Sequence, residues 1–233
     1  MNKIGLIGGM SWESTELYYR NINTEIKQIL GKHHSAKLVL ESVDFEEIKN
    51  FQHQNDWESA AEILVKCAKN LESAGAEFIL ICTNTMHKVA PAISSAITIP
   101  VLHLADATAE RIKANGFHKV GFLGTRFSME DDFYVGRLRD HYGFTVEVPN
   151  EKDREYIHNV IYDELCLGII NEKSRKEYLR IMGDLHSSGV DCIIEGCTEI
   201  CLLVNQSHTS IPLFDTTMIH AQEAAKLSVG SFT

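Results

Sequence analysis

Short apolar, β-branched runs alternate along the chain with longer stretches in which apolar residues recur every three or four positions. The short runs occupy residues 4–7, 36–40, 78–82, 101–103, 120–123, 145–148, 192–195 and 213–214, and each predicts a strand buried in a parallel sheet. Residues 59–74, 108–115, 174–188 and 219–229 carry the helical spacing between them. Such stretches stop at Gly75, Asn115-Gly116 and Gly189, where a left-handed cap forms most easily. The alternation predicts an α/β fold with parallel sheets and right-handed crossovers.

The pattern is also written twice. Residues 73–85 align without a gap on residues 187–199, so that Ser73, Gly75, Ile79 and Thr83 answer Ser187, Gly189, Ile193 and Cys197. Lys3-Ile4-Gly5-Leu6-Ile7-Gly8 likewise answers Lys119-Val120-Gly121-Phe122-Leu123-Gly124, and Tyr18 answers Tyr134. A third block, Thr98-Ile99-Pro100-Val101-Leu102, answers Ser210-Ile211-Pro212-Leu213-Phe214. The offsets, 114, 116 and 112 residues, exceed the period of a solenoid repeat, so one half-domain is used twice. We expect two pseudo-symmetric lobes, each a short, mostly parallel sheet flanked by helices, with the active site in the cleft between them. The first lobe is assigned residues 1–103 plus 215–233 and the second 104–214.

Ligands of open parallel sheets sit beyond the carboxyl ends of the strands, where the repeat places Gly8, Thr83, Gly124 and Cys197. Gly8-Gly9 suits an anion-binding turn before a helix, although Gly5-x-x-Gly8-Gly9 is not the dinucleotide spacing. Thr83-Asn84-Thr85 suits either a helix cap or a site. Cys197 is expected to feel the positive end of a following helix dipole, which lowers a thiol pKa and makes a thiolate base available. Cys192, inside its strand, and Cys201, one helical turn further on, read as packing. His87 is read as structural or as orienting a neighbour. Trp12 and Trp57 are read as packing that could also close over a pocket. His33-His34 lacks companions at ligand spacing, so no metal is expected.

Composition narrows the partners. At 233 residues the chain is long enough for two compact domains. A formal charge of −10 argues against nucleic acid or an anionic membrane surface. No run reaches membrane-span length, and the chain enters a strand pattern at once, so a cytoplasmic protein is expected. Its six cysteines form no Cys-x-x-Cys pair and are expected to be reduced.

At Gly8-Gly9-Met10, Thr83-Asn84-Thr85-Met86-His87, Leu123-Gly124-Thr125, Ile161-Tyr162-Asp163-Glu164-Leu165 and Gly196-Cys197-Thr198-Glu199 the chain resembles the aspartate/glutamate racemase family over essentially its full length. The resemblance implies two α/β lobes with a catalytic residue from each facing across a cleft. It also implies removal and return of the α-proton of a free amino acid with no cofactor. Carried over residue by residue, it makes Thr83 and Cys197 catalytic, and Met10, Gln52, Asn84, Thr85, Thr125, Thr198 and Glu199 substrate-binding. The family usually carries cysteine where Thr83 stands; the resemblance places Cys197, as thiolate base, on the face that handles the L-enantiomer, with Thr83 on the opposite face. The cations that face an acidic side chain in aspartate racemases are absent from Ser42–Ile48 and Ile161–Cys166, leaving the choice between aspartate and glutamate open. A decarboxylase using one cysteine and a non-catalytic amino-acid-binding protein are the alternatives. Association as a homodimer is left open.

Overall fold

The computed structural model describes residues 1–230, so the last three residues of the first lobe assigned above, 231–233, lie outside the described residues. The chain divides into two compact units, Met1–Leu104 together with the stretch from His220 onward, and Ala105–Ile219.

The first unit runs β1 (Ile4–Gly8), α1 (Trp12–Leu30), β2 (Leu38–Ser42), α2 (Phe45–His53), α3 (Trp57–Ser73), β3 (Phe78–Ile81), a 3₁₀ turn (Thr85–Val89) and α4 (Ala90–Ala96). Its three strands are parallel in the order β2-β1-β3. Residues of β1 alternate between two apolar layers, as strand geometry requires. Ile4 and Leu6 pack with Tyr18, Ile22 and Ile26 of α1, whereas Ile7 packs with Ile48 of α2 and Leu64 and Leu71 of α3.

The second unit begins within α5 (Leu104–Ala114). It continues through β4 (Lys119–Gly124), α6 (Arg126–Glu130), α7 (Val135–Tyr142), β5 (Thr145–Glu147), α8 (Glu151–Asp163) and α9 (Glu172–Ser187). It closes with β6 (Cys192–Gly196), α10 (Ile200–Leu203), β7 (Leu213–Asp215) and the first residues of α11 (Thr216–Val229). Its four strands are parallel in the order β5-β4-β6-β7. The later part of α11 belongs to the first unit, where Ala221, Ala224 and Ala225 pack against the β1 and β3 layer.

The internal repeat is visible in individual bonds. Lys3 donates from its backbone N–H to Glu77 and from Nζ to the Ala74 carbonyl, both at 2.9 Å, and Lys119 does the same toward Asp191 and Ser188, both at 2.8 Å. Gly5 and Gly121 match in the same way. A Cβ on Gly5 would lie 3.0 Å from Ala76 Cβ and 3.3 Å from Leu71 Cβ, while one on Gly121 would meet Leu185 Cδ1 at 3.2 Å and Val190 Cγ1 at 3.5 Å. A glycine in the first strand of each unit therefore lets the equivalent helix approach closely.

Two strand predictions need correction. β2 starts at Leu38 and not at residue 36, because Leu38 is the residue that pairs with Ile4. Residues 101–103 do not form a full strand. The Pro100 carbonyl and the Leu102 N–H both bond to Ile79 at 2.9 Å, giving one bridge at Val101 before α5 begins at Leu104.

Candidate active site

Each unit ends a parallel strand, β3 in the first and β6 in the second, in a short polar turn. In the first, Cys82 donates from its backbone N–H to the Ile7 carbonyl at 2.9 Å, and the chain then leaves the sheet through Thr83, Asn84 and Thr85, all buried. His87 fixes this turn. Its Nε2 accepts from the Leu104 N–H at 3.2 Å, which leaves the proton on Nδ1, and Nδ1 donates to the Thr83 carbonyl at 2.8 Å. Behind it, His220 has the opposite tautomer: Nε2–H donates to the Leu102 carbonyl and Nδ1 accepts from the Tyr18 hydroxyl, each at 2.8 Å. Burial, followed by the neighbouring His87, pushes His220 down to about 3, so it is neutral. Periodicity gave no sign of this cluster of Tyr18, His87 and His220, because its members come from α1, the 3₁₀ turn and α11.

The other expected residues of this unit lie around β1 and α2. Met10 is buried in the same apolar layer as Met86, and Gln52 donates its amide N–H to the Met86 sulfur at 3.0 Å. The Gly9 N–H is committed to Thr15 Oγ1 at 2.8 Å, and that hydroxyl donates onward to the Ser11 carbonyl at 2.9 Å. Gly9 has φ +89°, and a Cβ there would collide with the Val43 backbone, so this glycine is demanded by the turn itself.

In the second unit, β6 ends at Gly196, where a Cβ would run into the Phe122 ring. Cys197 follows, 7% exposed, and its Sγ–H donates to Glu199 Oε2 at 2.9 Å. The Thr198 hydroxyl donates to the same oxygen at 2.7 Å, and Cys201 donates to the Thr198 carbonyl at 3.1 Å. Thr125 caps α6, its hydroxyl accepting from the Ser128 N–H at 3.3 Å.

The expectation of a dipole-stabilised thiolate at Cys197 is overturned. The following helix, α10, starts only at Ile200 and has four residues, too few aligned peptides for an appreciable macrodipole. Burial is the larger influence on the thiol, and the Glu199 charge comes next; both push its pKa well above the ordinary range. Cys197 therefore rests as a neutral thiol. Burial is the main cause that holds the Tyr162 hydroxyl on α8 and the Tyr178 hydroxyl on α9 well above the ordinary phenol range, and Cys197 pushes both in the same direction. Tyr162 lies within one of the quoted motifs, but nothing in the sequence pairs Tyr178 with Cys197.

Among the described residues, no three His, Cys, Asp or Glu side chains are grouped to hold a metal ion, and no helix is long and apolar enough to cross a membrane.

Comparison with known proteins bears on the chain as a whole. The family described as Asp/Glu/Hydantoin racemase matches residues 7–224. A crystal structure described as a putative Asp/Glu racemase from Yersinia pestis is 54% identical, with a TM-score of 0.91, over 98% of this chain and 100% of that one. An aspartate racemase homologue from Pyrococcus horikoshii OT3 is 36% identical, with a TM-score of 0.83, over 98% of this chain and 100% of its own. A broad-specificity amino-acid racemase of Bacillus subtilis is 21% identical over 169 residues, 70% of this chain and 69% of that protein.

Proposed function

The chain belongs to the Asp/Glu/Hydantoin racemase family, and from that premise we propose that it is a cofactor-independent amino-acid racemase acting on L-aspartate or L-glutamate. The supporting observation is the doubled strand end, with a buried thiol at Cys197 and a hydroxyl at the equivalent Thr83. Cys197, as thiolate, takes the α-hydrogen: the Cα–H bond breaks, an S–H bond forms, and the electron pair passes into the α-carboxylate. Backbone N–H groups and hydroxyls around Asn84, Thr85, Thr125 and Thr198 receive that growing charge. Thr83 returns a proton to the opposite face, directly or through water.

The two catalytic groups differ in strength. A hydroxyl is a far weaker acid than a thiol, so Thr83 donates a proton to a carbanion but is a poor base. The L-enantiomer, deprotonated by Cys197, is therefore the substrate accepted, and the D-enantiomer turns over slowly. Met10 and Gln52 are assigned to the substrate's surroundings with no cation for its side chain, which leaves aspartate against glutamate to measurement.

Chiral chromatography of L- and D-aspartate and glutamate incubated with the protein and with Cys197→Ser tests the reading. Inversion of an L-substrate by the unmodified protein, abolished in Cys197→Ser, is expected. Release of carbon dioxide from a disubstituted malonate without amino-acid inversion would instead mean a single-cysteine decarboxylase. Saturable amino-acid binding without any turnover would mean a binding protein.

A further inference from the structure

A thiol that acts as base must first lose its own proton, and no cation lies among the groups acting on the Cys197 sulfur. Glu199 and Cys166 both act to hold its proton on, and Cys197 in turn pushes the Tyr162 and Tyr178 phenols up. Cys201, on the other side of the turn, is itself surrounded by Asp215, Glu195 and Glu199. The destination of the proton is nonetheless in place. The Cys197 Sγ–H already points at Glu199 Oε2, 2.9 Å away, and the Thr198 hydroxyl donates to that oxygen at 2.7 Å, which fixes it.

Resting on the reading of Cys197 as the α-proton base, we propose that Glu199 is the proton acceptor that converts Cys197 to its thiolate, and not a contact to substrate. The pair holds one proton and one negative charge in either arrangement, thiol with carboxylate or thiolate with carboxylic acid. When substrate is bound, the S–H bond breaks and an O–H bond forms on Oε2. The sulfur then takes the α-hydrogen as described above. The proton on Glu199 leaves to water, while the Thr83 hydroxyl gives its proton to the other face and is reprotonated by water, so the count closes. In the repeat Thr85 stands where Glu199 stands, two residues beyond Thr83. At this position the second unit has a carboxylate and the first a hydroxyl, so the two halves differ there as well as in the nucleophilic atom.

Two readouts test the pair. The first is the pH profile of α-hydrogen exchange of the L-substrate in Glu199→Gln and Glu199→Asp. In the unmodified protein the profile is flat through neutral pH, because no proton has to leave the pair before the α-hydrogen is taken. In Glu199→Gln the thiol must ionise to solvent, so exchange near neutral pH falls by roughly 10²-fold or more and climbs about tenfold per pH unit. Glu199→Asp keeps a flat profile at a reduced rate, and KM is nearly unchanged in both. A Glu199→Gln protein with the original rate and flat profile would overturn the proposal. So would one whose loss is pH-independent and accompanied by a raised KM, the signature of a substrate contact.

The second readout needs no substrate: the S–H stretching band of Cys197 in the resting protein, identified by its absence in Cys197→Ser. Glu199→Gln is expected to move this band to higher frequency and to lower the pH at which it disappears, since the neighbouring charge has gone. An unmoved band and midpoint would overturn the pairing. Were no amino acid exchanged by the unmodified protein, the racemase reading would fall while this band still decided the Cys197–Glu199 pair. Should Glu199→Gln not fold, Glu199→Asp carries the same test: a displaced band with a retained flat profile supports the pair, and an unmoved band refutes it.

Discussion

The strand ends at Thr83 and Cys197 occupy equivalent places in two copies of one scaffold, yet their immediate surroundings do opposite things. At Thr83 the neighbouring side chain, His87, bonds to the backbone carbonyl. At Cys197 the neighbouring side chain, Glu199, accepts from the thiol itself. At the opposite, entry end of the same strands the lysine bonds are duplicated, Lys3 to the Ala74 carbonyl and Lys119 to the Ser188 carbonyl, and both β1 and β4 carry a glycine where a helix packs closely. Duplication preserved what holds the strands. The side chains at the strand ends have diverged, and on the proposed function that divergence is where a directional enzyme is expected to come from.

The largest expected effect is at Cys197. Cys197→Ser should lower L-substrate exchange by about 10²–10⁴-fold, the usual worth of a positioned base, with an unchanged circular dichroism spectrum. Cys192→Ser, in the buried interior of β6, should reduce the urea midpoint and leave the rate nearly intact. Comparable rates in the two variants would remove the distinction between reacting and packing thiols.

Thr83 is the complementary site. Thr83→Cys supplies the missing thiol and should raise exchange of the D-enantiomer by at least about tenfold, the scale on which general bases act being larger still. A D-exchange rate that stays where it was would mean the first strand end is not used as a catalytic face.

Acid stability separates the units in another way. His220 has a folded pKa of about 3 against an ordinary value of 6.5, so between those values the unfolded chain binds a proton that the folded chain refuses. Its contribution is complete above 6.5 and is lost as pH falls toward 3, by a few kcal/mol at most. Glu195 and Asp215 in the second unit have raised values, chiefly through burial, and act in the opposite sense: their contribution is present at low pH and lost as pH rises through their folded values. His220→Phe should therefore flatten the acid limb of the urea-midpoint profile. An unaltered limb would show that His220 is not buried as a neutral ring.

The smallest effects concern the matched glycines. Gly5→Ala and Gly121→Ala should each cost about 1–3 kcal/mol by overpacking, measured by urea unfolding. Gly5→Ala should cost more, because it meets Ala76 Cβ and Leu71 Cβ, which cannot rotate away, whereas Gly121→Ala meets the ends of the Ile193 and Leu185 side chains. The reverse order would mean that the two units do not absorb strain as their contacts imply.

How far the sequence could be read follows from the same contrast. The parallel strands, the repeat and both strand-end motifs were legible because buried strands and capped helices impose a local pattern. The start of β2 was not, since register is set by the pairing of Leu38 with Ile4, far apart in sequence. The protonation of Cys197 was also misread. Its position before a helix was visible, but the shortness of α10 and the aim of Glu199 are three-dimensional facts. The cluster of Tyr18, His87 and His220 joins residues from three distant segments and left no periodic trace.

The most direct measurement is enantiomer-resolved exchange in heavy water, following the α-proton by NMR and the product by chiral chromatography, in the unmodified protein and in Thr83→Ala. The account predicts that the L-substrate loses its α-proton at least as fast as D-product appears, and that the D-substrate exchanges slowly. It also predicts that Thr83→Ala suppresses inversion more than L-exchange. Equal exchange and inversion from both enantiomers, untouched by Thr83→Ala, would contradict it.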